Sequence, residues 1–201
     1  MKHITNFLLI FFLIFNIQSW AKANDISEFH IEGISLGDSA LKFFSENHIK
    51  KNSKDYYVNK EFTPVQNDLL DFFETYDAVD FNFKTKDKNY IIAALSGVLF
   101  YDDKPIKDCY KKMDEIINDL DNNYPNLDKS DKTTFKHPSP RNKSGKSIVT
   151  QISYYFENND IIQVTCYDYS KEHGSQDHLN VSLQTYEFND WLYHKAHIST
   201  Q

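Results

Sequence analysis

One segment of the chain spaces its apolar residues with the period of a helix. Pro105, with two aspartates shortly before it, marks a helix start. The apolar residues that follow recur at intervals of three and four, which is typical of a helix with one buried side. They are Ile106, Cys109, Tyr110, Met113, Ile116, Ile117 and Leu120. The pattern predicts one long amphipathic helix that ends at residues 122–125.

Other segments alternate apolar and polar residues with period two, which indicates strands that are buried on one side. The predicted strands cover residues 79–83, 90–100, 148–156, 161–169 and 179–183. Short polar turns at 84–89 and 157–160 join two pairs of them, as in β-hairpins. Phe188 and Trp191 then predict a short closing helix, capped near Thr185.

The remaining segments give weaker patterns. Asp38 follows a glycine and is a suitable N-cap for a helix with apolar positions at 41, 44 and 49. Residues 51–75 leave two alternatives open, a short helix that starts at 63–64 or a strand at 56–58. Residues 125–147 contain three prolines, a glycine and several lysines, and they predict a long polar loop.

The first 23 residues carry a separate signal. A basic start precedes a continuous apolar run at 7–15, and the small-x-small triplet Ala-Lys-Ala follows at 21–23. A helix that spans a bilayer needs about 20 apolar residues, so this run is too short for a membrane anchor. We expect a signal peptide over 1–23, cleaved between Ala23 and Asn24, and export to the periplasm or the medium.

Removal of that segment leaves residues 24–201, which form about one domain. Hairpins combined with separate helices indicate the α+β class, here an antiparallel β-sheet built of hairpins with helices packed on one face. No later segment is long and apolar enough to span a membrane. The exported chain has 20 basic and 29 acidic residues, a net charge of −9, which disfavours nucleic acid as a partner.

The chain has two cysteines, Cys109 and Cys166, and both lie on the apolar side of a predicted element. An exported protein with two inward-facing cysteines favours a disulfide between them. The alternative is a pair of buried thiols that pack as small apolar groups. A thiol redox role would need a Cys-x-x-Cys pair, which this sequence lacks.

Gly37-Asp38-Ser39 resembles the nucleophile block of GDSL-type hydrolases. In that family an Asp-x-x-His motif supplies the base that a nucleophilic serine needs. This chain contains neither that motif nor the family's Gly-x-Asn-Asp block. Capping of a helix by Asp38, with Gly37 at the turn, explains the same residues.

Potential metal ligands are densest at Asp168, Glu172, His173, Asp177 and His178. Their spacing fits no standard zinc site, and they fall on a predicted loop between strands, so a solvated polar loop is the simpler interpretation. We therefore expect no catalytic residue, no metal ligand and no cofactor. The alternative is a hydrolase around Ser39 or the 168–178 loop.

Several stretches carry a resemblance to known proteins. They are IEGISLGDS at 31–39, GKS at 145–147 leading into ISYYF, DHLNVSL at 177–183 and NDWL at 189–192. The chain resembles a group of small exported proteins from AT-rich marine bacteria, which implies a periplasmic setting and nothing catalytic. The segment at 33–39, which leads into a predicted helix, is also similar to the α+β modules of outer-membrane assembly lipoproteins and β-lactamase-inhibitor proteins. Those modules bind proteins through a sheet face, and this chain lacks the lipid-bearing cysteine of the lipoproteins.

We expect a non-enzymatic binding or envelope-accessory module. Its partner would be an envelope protein or a cell-wall or lipid component. The candidate binding surface consists of Tyr155, Tyr167 and Tyr169 on the sheet, together with Arg141 in the basic loop before it.

Overall fold

The computed structural model describes residues 25–68, 73–139 and 141–198, and the predicted signal peptide with its cleavage site at Ala23 and Asn24 lies outside them. Within these ranges one antiparallel sheet is packed against three α-helices. The strands are β1 (Phe62–Asp68), β2 (Ala78–Lys84), β3 (Ile92–Phe100), β4 (Asp128–Lys129), β5 (Thr133–Lys136), β6 (Ile148–Tyr155), β7 (Ile161–Asp168) and β8 (His178–Gln184). The helices are α1 (Glu46–Asn52), α2 (Ile106–Asn123) and α3 (Tyr186–His194). The α+β prediction is confirmed.

The sheet is two meanders joined at its centre, in the order β1-β2-β3-β8-β7-β6. The short strands β4 and β5 both pair with the outer side of β6. At the opposite edge, Ser53 forms a bridge with Val65, and the Lys54 N–H donates to the Pro64 carbonyl at 2.8 Å. The outer side of β1 is thus covered at one point, and β4 and β5 form the edge beyond β6.

The larger part of the core lies between α1, α2 and one face of the sheet. Leu179, Val181 and Leu183 alternate along β8 and all point into it. Cys109 of α2 and Cys166 of β7 are fully buried there, at disulfide-bonding distance and with Cα atoms 6.1 Å apart. The predicted pairing of these two residues therefore agrees with the structure.

The short helix α3 packs on the opposite face of the sheet, which is the one departure from the predicted arrangement of helices on one face. Phe188 and Trp191 of α3 contact Phe62 and Ala94 in a second, smaller apolar cluster. The Thr185 hydroxyl accepts the N–H of Phe188 and caps this helix, as predicted. None of the helices in the described part of the chain has the length and apolar character that a membrane span requires.

Three weaker predictions need correction. Ser39, not Asp38, caps the first turn, a 3-10 helix at Ala40–Lys42, because its hydroxyl accepts the Leu41 N–H. Neither alternative for 51–75 is right, since the strand in that region is β1. The 125–147 loop contains β4 and β5, whose residues are all exposed and so show no apolar alternation.

Candidate functional site

The face of the sheet opposite α2 carries uncharged polar side chains. They arise from the period-two alternation of strands whose other side is buried in the core. The register places Ser96, Ser182, Gln163 and Ser153 side by side across β3, β8, β7 and β6. A parallel row of Asn180, Thr165 and Gln151 lies beside the first.

A groove with a volume of about 530 Å³ has its floor on these rows, which contribute Ser96, Ser182, Gln163, Asn180 and Gln151 to its lining. Helix α3 and its C-terminal turn form one wall, and β5 with the residues after it forms the other. The lining consists of Tyr57, Asn82, Ala94, Ser96, Phe135, His137, Pro138, Val149, Gln151, Gln163, Tyr167, Asn180, Ser182, Gln184, Phe188, Leu192, Tyr193 and His197.

Among the residues that the structure describes, no Asp, Glu, Lys or Arg lines the groove, although a quarter of the chain is charged. An exposed sheet face is usually rich in charged residues, because they remain well solvated. The absence of charge is therefore a property of the groove and not of the chain as a whole. Volumes between about 300 and 1,000 Å³ are typical of small-molecule sites.

Some polar groups in the groove are paired with one another. Gln184 Nε2 donates to Ser182 Oγ at 2.9 Å, and Gln163 Nε2 donates to Ser153 Oγ at 3.1 Å. Among the amide and serine side chains of the lining, four form no hydrogen bond within the described ranges: Asn82, Ser96, Gln151 and Asn180. Asn82 Oδ1 is also buried, and a buried acceptor without a partner is unfavourable by about 1–3 kcal/mol.

Asp80 lies at the end of the first polar row, paired with Ser96 in the register but outside the groove lining. It accepts the Asn67 N–H at 3.3 Å, and Gln66 Nε2 approaches its other oxygen at 3.5 Å. Burial raises the pKa of Asp80 to about 6, and Asp68 adds to the rise, while the Asn67 N–H opposes it. Between about pH 4 and pH 6, the Asp80 carboxyl is therefore protonated in the folded protein and ionised in the unfolded chain, where its pKa is near 4.

We expect Asp80→Asn to stabilise the protein above neutral pH and to leave it unchanged at pH 4. The raised pKa means that Asp80 destabilises the fold progressively as pH rises through roughly 4 to 6. Two pKa units correspond to about 3 kcal/mol, and partial solvation reduces this, so we expect a gain of about 1 to 3 kcal/mol at pH 8. Urea unfolding at pH 4 and at pH 8 measures this change in the free energy of unfolding.

The matched control for that experiment is Asp103→Asn. Asp103 is exposed and has no hydrogen-bond or ion-pair partner in the part of the chain that is described. Its replacement should change the free energy of unfolding by less than about 0.5 kcal/mol at either pH. An equal gain from Asp80→Asn at pH 4 and pH 8 would contradict the assignment, because the neutral carboxyl would then be as unfavourable as the ionised one.

A cluster of histidine and tyrosine rings closes one end of the groove. Tyr167 stacks on His178 with centroids 4.5 Å apart, and Tyr169 stacks on His173 at the same distance. His137 lies 5.2 Å from His173, and its Nε2 is 3.3 Å from the Tyr169 hydroxyl. Only Tyr167 and His137 of this cluster also line the groove.

Burial favours the neutral form of two imidazoles in the cluster, His137 and His178. His137 Nδ1 accepts the Ser139 N–H at 3.1 Å, and His178 Nδ1 lies 2.9 Å from the Gln176 carbonyl, to which it donates. Burial lowers the pKa of both His137 and His178, and neighbouring histidines lower that of His137 further. Within the described ranges, no three His, Cys, Asp or Glu side chains are arranged to hold a metal ion.

The predicted binding residues do not form one surface. Tyr167 lines the groove, and Tyr169 lies behind it in the ring cluster. Tyr155 is 42% exposed at the far end of the β6–β7 hairpin, opposite Ile161. Arg141 is exposed in the loop after β5 and contributes nothing to the lining.

The residues of the alternative hydrolase interpretation have other contacts. The Ser39 hydroxyl donates to the Asn89 carbonyl at 2.6 Å, and among the described residues no imidazole is hydrogen-bonded to it. In the 168–178 loop, Asp177 accepts the Tyr169 N–H at 2.6 Å, and burial raises the pKa of Asp168. His173 is buried in the ring cluster, and its Nδ1 bonds the Ser175 hydroxyl.

The groove itself was not predicted from the sequence. A signal for it exists, because the polar positions of β6, β7 and β8 hold amides and hydroxyls where an exposed strand would hold lysine and glutamate. Comparison of the chain with protein-family models, curated proteins and solved structures gives no match. The resemblances to exported and envelope proteins therefore stay predictions.

Proposed function

We propose that this protein is a non-enzymatic binding module of the bacterial envelope that holds an uncharged polar ligand in the groove. The observation that carries the proposal is the composition of the floor, in which amides and hydroxyls occur without any charged side chain. Groups of this kind fix a ligand by hydrogen bonds, and the aromatic walls add apolar contact area.

The same groups favour binding over catalysis. Amide and aliphatic hydroxyl groups do not ionise near neutral pH, so they are unsuited to act as general acids or bases. Of the two histidines that line the groove, His137 uses both ring nitrogens in contacts with Ser139 and Tyr169. The other, His197, lies against the Tyr57 ring and has no carboxylate partner among the described residues to orient it.

An envelope location is part of this proposal and rests on the sequence. The pattern of the first 23 residues predicts export, and the cysteine pair at disulfide-bonding distance suits an oxidising compartment. Among the partners expected from the sequence, the acyl chains of a lipid suit the groove least, because they would bury the unpaired side chains of Asn82, Asn180 and Gln151 without a hydrogen bond.

A comparison of two matched variants tests the proposal. Asn180→Leu keeps the number and branching of the side-chain heavy atoms and removes an amide that has no partner among the described residues. Asn122→Leu makes the same change at an exposed position of α2, on the other side of the sheet. We expect neutral sugars and capped dipeptides, screened by NMR at millimolar concentration, to shift the side-chain amide signals of Gln151 and Asn180. Their affinity should fall about tenfold or more in Asn180→Leu only.

The screen should include acetate and methylammonium as charged counterparts. A neutral groove in a protein with a surplus of acidic residues offers neither ion a partner. Equal binding of charged and neutral compounds, or equal losses in the two variants, would refute the proposal.

A further inference from the structure

We propose that the groove binds a neutral oligosaccharide, an inference that rests on the proposed function and names its ligand class. The choice follows from four features of the groove: its lack of charge, its unpaired amides, its aromatic walls and its length. Each of these excludes a different class of ligand.

The unpaired side chains match sugar hydroxyls. A carboxamide both donates and accepts hydrogen bonds, and a hydroxyl does the same, so Asn180 and Gln151 can each pair with neighbouring hydroxyl groups of one ring. No lysine, arginine or carboxylate side chain of the described ranges lines the groove, so phosphorylated or acidic ligands would be bound without a counter-charge.

The walls match the apolar faces of sugar rings. Tyr57 and Tyr193 lie on the α3 side of the groove, and Phe135 belongs to β5 on the other side. Tyr193 is 62% exposed and Phe135 is 41% exposed, although aromatic side chains of this size are more often buried. A pyranose ring presents C–H groups on its faces, and these pack favourably on the electron-rich face of an aromatic ring.

The length of the groove favours a chain of rings over a single one. Its floor crosses β2, β3, β8, β7 and β6, which at about 4.8 Å between strands amounts to roughly 19 Å. An extended peptide of that length is the competing ligand. Peptides that bind sheets most often add a strand to an edge through backbone hydrogen bonds, whereas this groove lies across the face of the sheet. The groove offers side chains alone, which suits a ligand whose polar groups are on its periphery.

Titration of the exported chain (residues 24–201) with defined ligands tests the inference. The probes are cellohexaose, maltohexaose and N-acetylated chitohexaose, with an oligogalacturonate of the same length as the charged counterpart and a capped, uncharged peptide rich in serine and asparagine. The readout is the fluorescence of Trp191, the only tryptophan of residues 24–201, which contacts Tyr57 and Phe188 in the wall.

We expect at least one neutral hexasaccharide to bind with a Kd below about 1 mM and the oligogalacturonate to bind at least tenfold more weakly. Asn180→Leu should lower the affinity for the neutral ligand about tenfold or more, and Asn122→Leu should leave that affinity unchanged. Gln151→Leu gives the same comparison at a second position if Asn180→Leu does not fold.

Failure of this inference differs from failure of the proposed function. If the capped peptide binds in the groove and none of the hexasaccharides does, the ligand class is wrong and the binding function stands. If neither class binds, both are wrong. Tighter binding of the oligogalacturonate than of every neutral hexasaccharide would also overturn the inference, because the groove would then favour negative charge.

Discussion

Removal of the link between Cys109 and Cys166 is expected to lower the free energy of unfolding by about 4 kcal/mol. The two residues are separated by 57 positions in the sequence, and a cross-link that closes a loop of this size restricts the unfolded chain by about that amount. A typical domain is stable by only about 5 to 15 kcal/mol, so the variant would be close to unfolding at 37 °C.

The double variant Cys109→Ala/Cys166→Ala is the best form of this experiment. Both side chains are fully buried, and alanine leaves no unpaired polar group, whereas serine would bury two hydroxyls. Urea unfolding of the variant should match that of the wild-type protein in reductant within about 1 to 2 kcal/mol, the difference being the packing of the two sulfur atoms.

Thiol titration tests directly whether Cys109 and Cys166 are bonded. We expect no free thiol in the purified, urea-unfolded protein before reductant is added. Reaction of two thiols would show that the pair is reduced, and the expected loss of stability would then disappear. Because both sulfurs are inaccessible in the folded state, reductant should act on the native protein only as fast as it opens.

The parts of the fold that the sequence predicts well are those with a strong period. Helix α2, the β2–β3 hairpin and β6 to β8 bury one side against a large core, so the apolar residues must recur at fixed intervals. Strand β1 was missed because Pro64 in its middle suggests a helix start. At the edge of a sheet, however, the missing N–H of a proline leaves no ladder bond broken.

The groove could not be predicted because it depends on register. Ser96, Ser182 and Gln163 are far apart in sequence, and only the order of the strands makes them neighbours. From one strand alone, the polar positions of β8 suggest an ordinary solvated face. The side of the sheet that α3 occupies was equally hidden, because an amphipathic helix shows which of its sides is buried and not which face of the sheet it covers.

Trp191→Ala is expected to release α3 from the sheet and to remove one wall of the groove. Trp191 is 1% exposed, and its ring lies 4.8 Å from Tyr57 and 4.9 Å from Phe62. Truncation of a buried tryptophan to alanine is unfavourable by about 3 to 5 kcal/mol. Since the cluster around Trp191 is separate from the main core, we expect the loss to be concentrated in α3.

Hydrogen exchange measures this loss locally. The backbone amides of α3 should exchange about a hundred- to a thousandfold faster in Trp191→Ala, whereas those of α2 should change much less, because α2 packs in the other core. Equal acceleration in both helices would mean that the two cores unfold as one unit.

Trp191→Phe is the informative companion, because two effects of that substitution oppose each other. Phenylalanine fills less of the cluster than tryptophan, which lowers stability. It also removes the indole N–H, which is buried in the structure without a partner and is itself unfavourable by about 1 to 3 kcal/mol. The net loss should therefore be about 1 kcal/mol, far below that of alanine. A loss as large as that of Trp191→Ala would show that the whole indole ring, and not an aromatic ring of any size, holds α3 against the sheet.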